Sequence, residues 1–267
     1  MVVTAATAAA RRPIKLKKKL RLARELERAG DPVGAAKWLV ASMVGYWQPV
    51  RVVIRGHAIR IRASSNDLSI ALQTLCGEFA EVIARVPVLK HGLIIDAGGY
   101  LGTAAIAFAE AYPDATVVTI EPSPENFALL EANTAAYPNI RALNKALGAT
   151  AGLIELKDRG RGHAGLTIVE TPDDNRASKT IGSVEIITIT HILAEFGFAG
   201  IDIAKIDIEG GEVELLSGNL RWFDATTAVC IELHDRIVAG CSKSWDDATA
   251  GRVNSKLDGE KYLSIAA

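Results

Sequence analysis

The sequence predicts an α/β fold with a mostly parallel central sheet of about seven strands, flanked by helices and preceded by an N-terminal cap. Two observations carry this prediction. From Gly92 onward, short continuous apolar segments alternate with helical segments, which is typical of βαβ units whose strands are buried on both faces. Before Gly92, helical patterns surround one stretch of alternating residues. We therefore predict a helical and hairpin cap at residues 1–90 and a core at residues 91–267.

The predicted cap contains four elements. The segment from Arg11 to Arg28 (RRPIKLKKKLRLARELER) predicts a strongly basic helix, and a second helix is expected from about Val33 to Tyr46. Val50 to Ala63 alternates apolar and polar residues around a Gly-His pair, which predicts a hairpin. Leu68 to Val86 has helical periodicity and ends before Pro87. The basic helix either packs on the core with its charges in solvent or meets an anionic partner.

The core strands follow in chain order. Five apolar segments predict the parallel sheet: LIIDAG, ATVVTIEP, NIRALNKAL, IAKIDIEG and TTAVCIELHD. GLIELKDRGRGHAGLTIVE and SVEIITI predict extra strands around a loop at TPDDNRASKTIG, and EKYLSIAA predicts a closing strand. Because ligands bind outside the carboxyl ends of parallel strands, the residues at those ends form the candidate site.

Composition and charge exclude several classes of protein. Lys and Arg number 30 against 31 acidic residues, so the chain has no net positive charge that would indicate a nucleic-acid partner. The three cysteines lack the paired spacing of disulfides or of a zinc site. No apolar segment reaches the roughly 18 residues of a membrane span, and the N-terminal charges lack the order of a secretory signal. We expect a cytoplasmic protein without stable membrane insertion, and the sequence leaves a homo-oligomer open.

An acid precedes the glycine turn that follows the first core strand. Asp96 stands before Gly98 and Gly102, where a dinucleotide would place its pyrophosphate. A carboxylate would repel that group by about 1 to 4 kcal/mol at roughly 4 Å, and it would attract a ligand with an amino group and a sulfonium. S-adenosylmethionine carries both groups and no phosphate. Glu121, followed by Pro122, ends the second strand and can accept hydrogen bonds from ribose hydroxyls.

Several segments resemble the FkbM-type methyltransferases of the Rossmann-like class. The resemblance is carried by LIIDAGGYLGTAAIAFAEAYPDATVVTIEPSPENFALLEAN, KIDIEGGEVELLSG and IELHDRIVAGCS. It also includes IRIRASSNDLSIALQTLCGEF, where similar proteins carry an arginine and a Ser/Thr-x-Asp element. The similarity extends from about Arg51 to the C-terminus. Tyr100 departs from it, because similar proteins often have a small or amide residue at that position.

The resemblance implies a Rossmann-like methyltransferase fold, S-adenosylmethionine as cofactor and S-adenosylhomocysteine as product. It implies that Asp96, Gly98 and Glu121 contact the cofactor, and that residues 144–148 (NKALG) lie beside the adenine. The predicted cofactor-binding set is Asp96, Gly98, Gly99, Tyr100, Glu121, Pro122, Lys145, Ala146 and Asp207.

The catalytic prediction concerns the next two strand ends. The fourth strand places Lys205, Asp207 and Glu209 on one face, and the fifth is followed by His234 and Asp235. We expect Lys205 to neutralise a nearby carboxylate such as Asp207. His234 is the predicted general base, because its unperturbed pKa lies near neutrality, with Asp207 and Glu209 as further catalytic residues. A structural hydrogen bond from His234 to an acid is the alternative. No metal is predicted, although Asp207, His234 and Asp235 would be the candidate ligands for Mg²⁺.

The sequence thus predicts an S-adenosylmethionine-dependent O-methyltransferase. The acceptor would be a hydroxyl on a small molecule, sugar or natural product, methylated by in-line displacement with a strand-end base. Two alternatives are an inactive cofactor-binding scaffold and a nicotinamide-dependent oxidoreductase, whose G-x-G-x-x-G turn is interrupted here by Asp96 and Tyr100. His163 and His191 are expected at the surface.

Overall fold

The N-terminal part of the protein consists of two helices and a hairpin. The computed structural model describes residues 14–87, 90–158, 163, 166–167 and 179–267. Helices α1 (Leu16–Arg28) and α2 (Pro32–Val44) precede the hairpin strands β1 (Pro49–Ile54) and β2 (His57–Arg62). The Asp31 carboxylate accepts hydrogen bonds from Gly34 N–H and Val53 N–H, at 2.7 Å each, so one residue both caps α2 and holds it against the hairpin. Residues 11–13 of the predicted basic helix lie outside the described residues.

The single helix predicted from Leu68 to Val86 is wrong in one respect, because the chain changes direction in its middle. Helix α3 (Asp67–Gln73) passes into a π-helical turn (Thr74–Glu78), and α4 (Ala80–Arg85) follows. Gly77 lies at this break with φ 121°, a conformation that glycine adopts without the strain caused by a Cβ atom. The apolar periodicity continues on both sides of the break and gives no signal for it.

The core begins with alternating strands and helices, as predicted. Its elements in chain order are β3 (Leu93–Ala97), α5 (Thr103–Ala111), β4 (Thr116–Ile120), α6 (Pro124–Thr134), β5 (Ile140–Leu143), β6 (Ala146–Leu147), β7 (Gly152–Asp158), β8 (Leu166–Thr167), β9 (Lys179–Ile187), α7 (Ile189–Phe196), β10 (Ile201–Ile206), α8 (Glu212–Ser217), α9 (Arg221–Asp224), β11 (Thr226–Glu232), α10 (Cys241–Ala248), β12 (Val253–Lys256) and β13 (Lys261–Ile265).

Seven of these strands form one sheet in the order β5-β4-β3-β10-β11-β13-β12. The five strands from β5 to β11 are parallel, whereas β13 is antiparallel to both of its neighbours. The chain therefore moves outward from β3 to β5 and returns to the other side of β3 with β10. Strand order reverses between β3 and β10, and a ligand crevice is expected at the carboxyl ends of these two strands. The prediction of a mostly parallel seven-stranded sheet is confirmed.

The remaining strands differ in part from the predicted ones. Strands β6, β9, β7 and β8 form a separate four-stranded sheet, and β12 was not predicted. The C-terminal closing strand is confirmed as β13. Of the predicted loop TPDDNRASKTIG, residues 171–178 lie outside the described residues, and its last residues begin β9.

Two hydrophobic clusters cover opposite faces of the central sheet. One joins the sheet to α5 and to the N-terminal elements, through residues such as Trp38, Ile61 and Phe108. The other packs Trp222 and Trp245 against the opposite face. The N-terminal elements therefore share a core with the sheet, and a domain boundary at residue 90 stays a prediction. Every helix among the described residues is too short or too polar to traverse a bilayer.

Candidate functional site

A cavity of about 320 Å³ lies at the carboxyl ends of β3, β4, β10 and β11. This is the edge where strand order reverses, and the volume is at the lower end of the range for small-molecule sites. The N-terminal elements form one wall, to which Ile70, Gln73, Thr74, Glu78 and Phe79 contribute. The position of the cavity follows from the strand order, whereas this wall depends on the break at the π-helical turn.

The glycine turn after β3 directs its backbone donors into the protein. The N–H groups of Gly98 and Gly99 donate to Ile120 O at 3.0 and 2.9 Å, and the N–H of Tyr100 donates to Glu121 Oε2 at 2.9 Å. A pyrophosphate at such a turn depends on backbone N–H groups for binding. Three successive donors are already used here, so the turn is poorly suited to a phosphorylated coenzyme.

Asp96 is fully buried and does not line the cavity. Its Oδ2 accepts a hydrogen bond from Thr119 Oγ1 at 2.8 Å, and its Oδ1 lies 3.1 Å from Lys205 Nζ. Burial lowers the pKa of Lys205, but the neighbouring Asp96 charge outweighs this effect and the pKa is raised overall. A direct contact between Asp96 and a cofactor stays a prediction; the carboxylate is enclosed within the sheet and paired with Lys205. The expected partner of Lys205 was Asp207, and the observed one is Asp96.

Glu121 lies at the cavity with most of its acceptor capacity in use. Oε1 accepts from Ser123 N–H at 2.9 Å and from Asn126 Nδ2 at 3.1 Å, while Oε2 accepts from the turn. Burial raises the pKa of Glu121 to about 7, even though these hydrogen bonds favour the charged form. A carboxylate has about four acceptor positions, so Glu121 can still accept from a ligand hydroxyl. Pro122, also in the predicted set, lines the cavity as well.

Arg62, Asp67 and Tyr100 form a buried network above the turn. Arg62 donates to Asp67 through Nε at 2.8 Å and Nη2 at 3.2 Å, and Tyr100 Oη donates to Asp67 at 2.5 Å. Arg62 Nη1 also donates to Asn126 Oδ1 at 2.9 Å. Burial opposes the charge of Asp67, yet the Arg62 guanidinium lowers its pKa overall. The Tyr100 side chain therefore ties the turn to the N-terminal elements, a role that sequence reasoning did not assign.

Two further predictions concern the far side of the cavity. Ala146 and Leu147 line it, but the Lys145 ammonium lies 2.8 Å from Glu185 Oε1 and does not. The predicted cofactor contact of Lys145 stays a prediction, and the position of its ammonium group does not support it. His163 was expected at the surface, and this expectation is wrong, because its side chain is largely buried and lines the cavity.

Three carboxylates after β10 and at the end of β11 also line the cavity: Asp207, Glu209 and Glu232, which we call the acidic cluster. His234 lies behind it with a fully buried ring. Its Nδ1 is 2.7 Å from Oε1 of the buried Glu212, and its Nε2 is 3.7, 3.9 and 3.7 Å from the oxygens of Asp207, Glu209 and Glu232. Burial opposes protonation of His234, but the hydrogen bond and charge of Glu212, with the nearby acids, raise its pKa to about 9.

The role of His234 as general base stays a prediction, and two observations weigh against it. The ring does not line the cavity, and the acids around it hold a proton on the imidazole at neutral pH. The structure also does not support Asp235 as a metal candidate. Its carboxylate accepts hydrogen bonds from Gly240 N–H at 3.1 Å and Ser242 N–H at 3.0 Å, at the start of α10. It is exposed there and serves as a helix cap.

The fold and the cavity define a class of protein. A parallel sheet that reverses its order beside a glycine turn, with an acid at the end of the next strand, is typical of Rossmann-like enzymes that bind an adenosine-type ligand. The chain belongs to the FkbM methyltransferase family: the model of the methyltransferase FkbM domain matches residues 96–258. The chain therefore has the Rossmann-like fold and the methyltransferase domain of this family, as the sequence predicted.

Curated relatives agree with this assignment. Methyltransferase sdnD of Sordaria araneosa is 27% identical over 51% of this chain and 62% of its own length. The chain thus spans less than two thirds of that relative. The hexuronic acid methyltransferase AglP of Haloferax volcanii is 24% identical over 74% of this chain and 79% of its own length. A solved structure, precorrin-6y C5,15-methyltransferase from Geobacter metallireducens, has 10% identity and a TM-score of 0.41 over 70% of this chain and 86% of its own.

Proposed function

We propose that this methyltransferase uses S-adenosylmethionine and methylates a hydroxyl oxygen of a small molecule or sugar. The observation that carries the proposal is the set of residues that line one cavity: the glycine turn after β3 and Glu121 after β4, together with the acidic cluster after β10 and at the end of β11. The turn and Glu121 suit an adenosyl ligand without phosphates, and the acidic cluster suits a hydroxyl that must lose a proton. The name of the relative AglP, a hexuronic acid methyltransferase, is compatible with a sugar acceptor.

The electrostatics of the cavity suit a positively charged cofactor. Five acidic side chains line it against two lysines, Lys205 and Lys261. Asp96 neutralises Lys205, and Glu78 pairs directly with Lys261. Four acids remain, of which Glu209 also lies 3.8 Å from Arg236 and the acidic cluster faces the protonated His234. The balance is a small excess of negative charge, which favours a cation over a diphosphate. Selection for a sulfonium would then arise from the cavity as a whole and not from Asp96 alone.

The residues of this chain would perform three tasks. Glu121 would hold ribose hydroxyls, and the wall formed by the π-helical turn would limit the access of water. S-adenosylmethionine, when bound, supplies the methyl group on its sulfonium sulfur. The acceptor oxygen would form a bond to that methyl carbon as the bond to sulfur breaks, and its proton would pass to a carboxylate of the acidic cluster. Asp207, which follows β10 and whose side chain is about one-third exposed, is the most exposed member of the cluster.

Methyl incorporation from labelled S-adenosylmethionine into a panel of sugars and hydroxylated natural products tests the proposal. We expect transfer to at least one hydroxyl acceptor, and a loss of turnover of at least tenfold in Asp207→Asn, with S-adenosylhomocysteine affinity changed less than turnover. Glu214→Gln, which removes an exposed acid on α8, is the matched control. Product carrying the methyl group on nitrogen or carbon would contradict O-methylation.

A further inference from the structure

The acidic cluster surrounds a histidine nitrogen that has no hydrogen-bond partner among the described residues. His234 is completely buried, and its Nε2 is without such a partner. The distances of 3.7 to 3.9 Å from this nitrogen to the carboxylates of Asp207, Glu209 and Glu232 are too long for hydrogen bonds. A buried polar atom normally has a partner. This atom points instead into a group of three anionic side chains.

The other ring nitrogen of His234 is held in place. Nδ1 lies 2.7 Å from Glu212 Oε1, and Glu212 is itself fully buried and accepts a hydrogen bond from Gly210 N–H at 3.2 Å. An N–H donated from Nδ1 to Glu212 directs Nε2 at the acidic cluster, so that a metal ion which displaces the Nε2 proton would meet the lone pair of this nitrogen. A carboxylate that orients the far nitrogen in this way is the usual outer partner of a metal-bound histidine.

The spacing of the donors also fits a metal ion. Ligands about 2.1 Å from a single ion lie about 3.0 to 4.2 Å apart, depending on the angle between them. The distances from Nε2 to the three carboxylates fall within that range. One donor atom each from Asp207, Glu209 and His234 can be chosen so that all three lie within 4.8 Å of one another. A small contraction of the site would bring all three to an ion.

We propose that Asp207, Glu209 and His234 bind a divalent metal ion. The imidazole in this set favours a transition metal such as Mn²⁺ or Zn²⁺ over Mg²⁺ or Ca²⁺, which prefer oxygen ligands alone. The carboxylates that attract a proton to Nε2 would equally attract a dication in its place.

The three carboxylates line the cavity, so the ion would face the space in which the acceptor hydroxyl would bind. This catalytic role rests on the proposed function: an ion there would bind the acceptor hydroxyl and lower its pKa. Metal binding itself depends only on the cluster. The two claims can therefore fail separately.

A titration of the full chain with Mn²⁺ alone tests the site, after removal of metals by a chelator and without cofactor. Electron paramagnetic resonance measures free Mn²⁺ and gives the stoichiometry. We expect one Mn²⁺ per chain, and an affinity at least tenfold lower in Asp207→Asn and in His234→Gln. Because His234 is buried, His234→Gln could fail to fold, and the partly exposed Asp207 keeps the test decisive. Glu214→Gln removes the same charge from the exposed side of α8 and should bind like the wild type.

The absence of saturable Mn²⁺ binding in the wild type would overturn the site, as would equal affinities of Asp207→Asn and Glu214→Gln. Mg²⁺ that binds as tightly as Mn²⁺ would overturn the part played by the imidazole. Calorimetry with S-adenosylhomocysteine runs as a separate readout. Retained Mn²⁺ binding without S-adenosylhomocysteine binding would refute the proposed function and support the metal site.

Discussion

Lys205 and Asp96 illustrate what a single sequence reveals about buried charges. That a lysine within an apolar strand needs an anionic partner follows from the cost of burying a charge. The identity of that partner cannot be derived in the same way, because it depends on which strand lies beside the lysine's strand in the sheet. Lys205 on β10 is in register with Asp96 on β3, whereas Asp207 lies beyond the strand end, with its side chain in the cavity. The pairing of non-consecutive strands is a long-range feature that local alternation does not contain.

This pair should contribute to stability. Asp96→Asn removes the nearest anionic partner of the buried Lys205 ammonium and leaves it hydrogen bonds to Ala97 O and Gly98 O, and we expect the free energy of unfolding to fall by about 3 to 5 kcal/mol. The double variant Asp96→Asn with Lys205→Met should lose less than the sum of the two single variants. Urea unfolding of all four proteins measures the coupling. Strict additivity would show that the two side chains do not depend on one another.

Glu121 gives a prediction about pH. Its ionised form can accept a ribose hydroxyl, and protonation removes acceptor capacity, so affinity for S-adenosylhomocysteine should increase as pH rises through the raised pKa of about 7. If only the ionised form binds, Kd falls about tenfold between about pH 6 and about pH 8. Calorimetry across that range measures it. The dependence should persist in Glu131→Gln, an exposed acid on α6, and disappear in Glu121→Gln. A Kd independent of pH in the wild type would remove Glu121 from ribose binding.

At the scale of elements, periodicity was sufficient for most helices and strands. The alternation in Val50 to Ala63 predicted the hairpin, and apolar segments predicted the five parallel strands that carry the cavity. The break at Gly77 was missed because it depends on the backbone conformation of one residue within a continuous apolar pattern. The role of Arg62 was missed because its partners, Asp67 and Asn126, belong to other elements of the fold.

The Arg62–Asp67–Tyr100 network should hold the hairpin and α3 against the glycine turn. Arg62→Lys keeps the charge but loses the planar two-point contact with Asp67. We expect a fall of about 1 to 3 kcal/mol in the free energy of unfolding, together with weaker binding of S-adenosylhomocysteine. Arg60→Lys, an exposed arginine on the same strand, is the control. Denaturant unfolding measures the stability of both variants, and calorimetry measures their affinity for S-adenosylhomocysteine. Equal stabilities and affinities of Arg62→Lys and Arg60→Lys would contradict this role.

For the whole molecule, the sequence predicted the edge of the sheet that carries the site, but not how the cavity is enclosed. The strand ends at Glu121, Asp207 and Glu209 were identified because parallel strands present their carboxyl ends at one edge. His163 and the wall around Phe79 come from segments far apart in the chain, so only the assembled fold shows that they meet there. The raised pKa of His234 is also a property of the assembled fold, because it depends on acids that follow β10 and on acids in α8 and β11.

The central claim is that a negative cavity, beside a turn whose Gly98, Gly99 and Tyr100 N–H groups already donate within the protein, accepts a sulfonium nucleoside and rejects a diphosphate. Calorimetric titration of the full chain with S-adenosylhomocysteine and, in parallel, with NAD tests it most directly. We predict one S-adenosylhomocysteine bound per chain with a micromolar Kd, and no detectable heat of binding for NAD. Binding of NAD, or no binding of S-adenosylhomocysteine, would contradict the account.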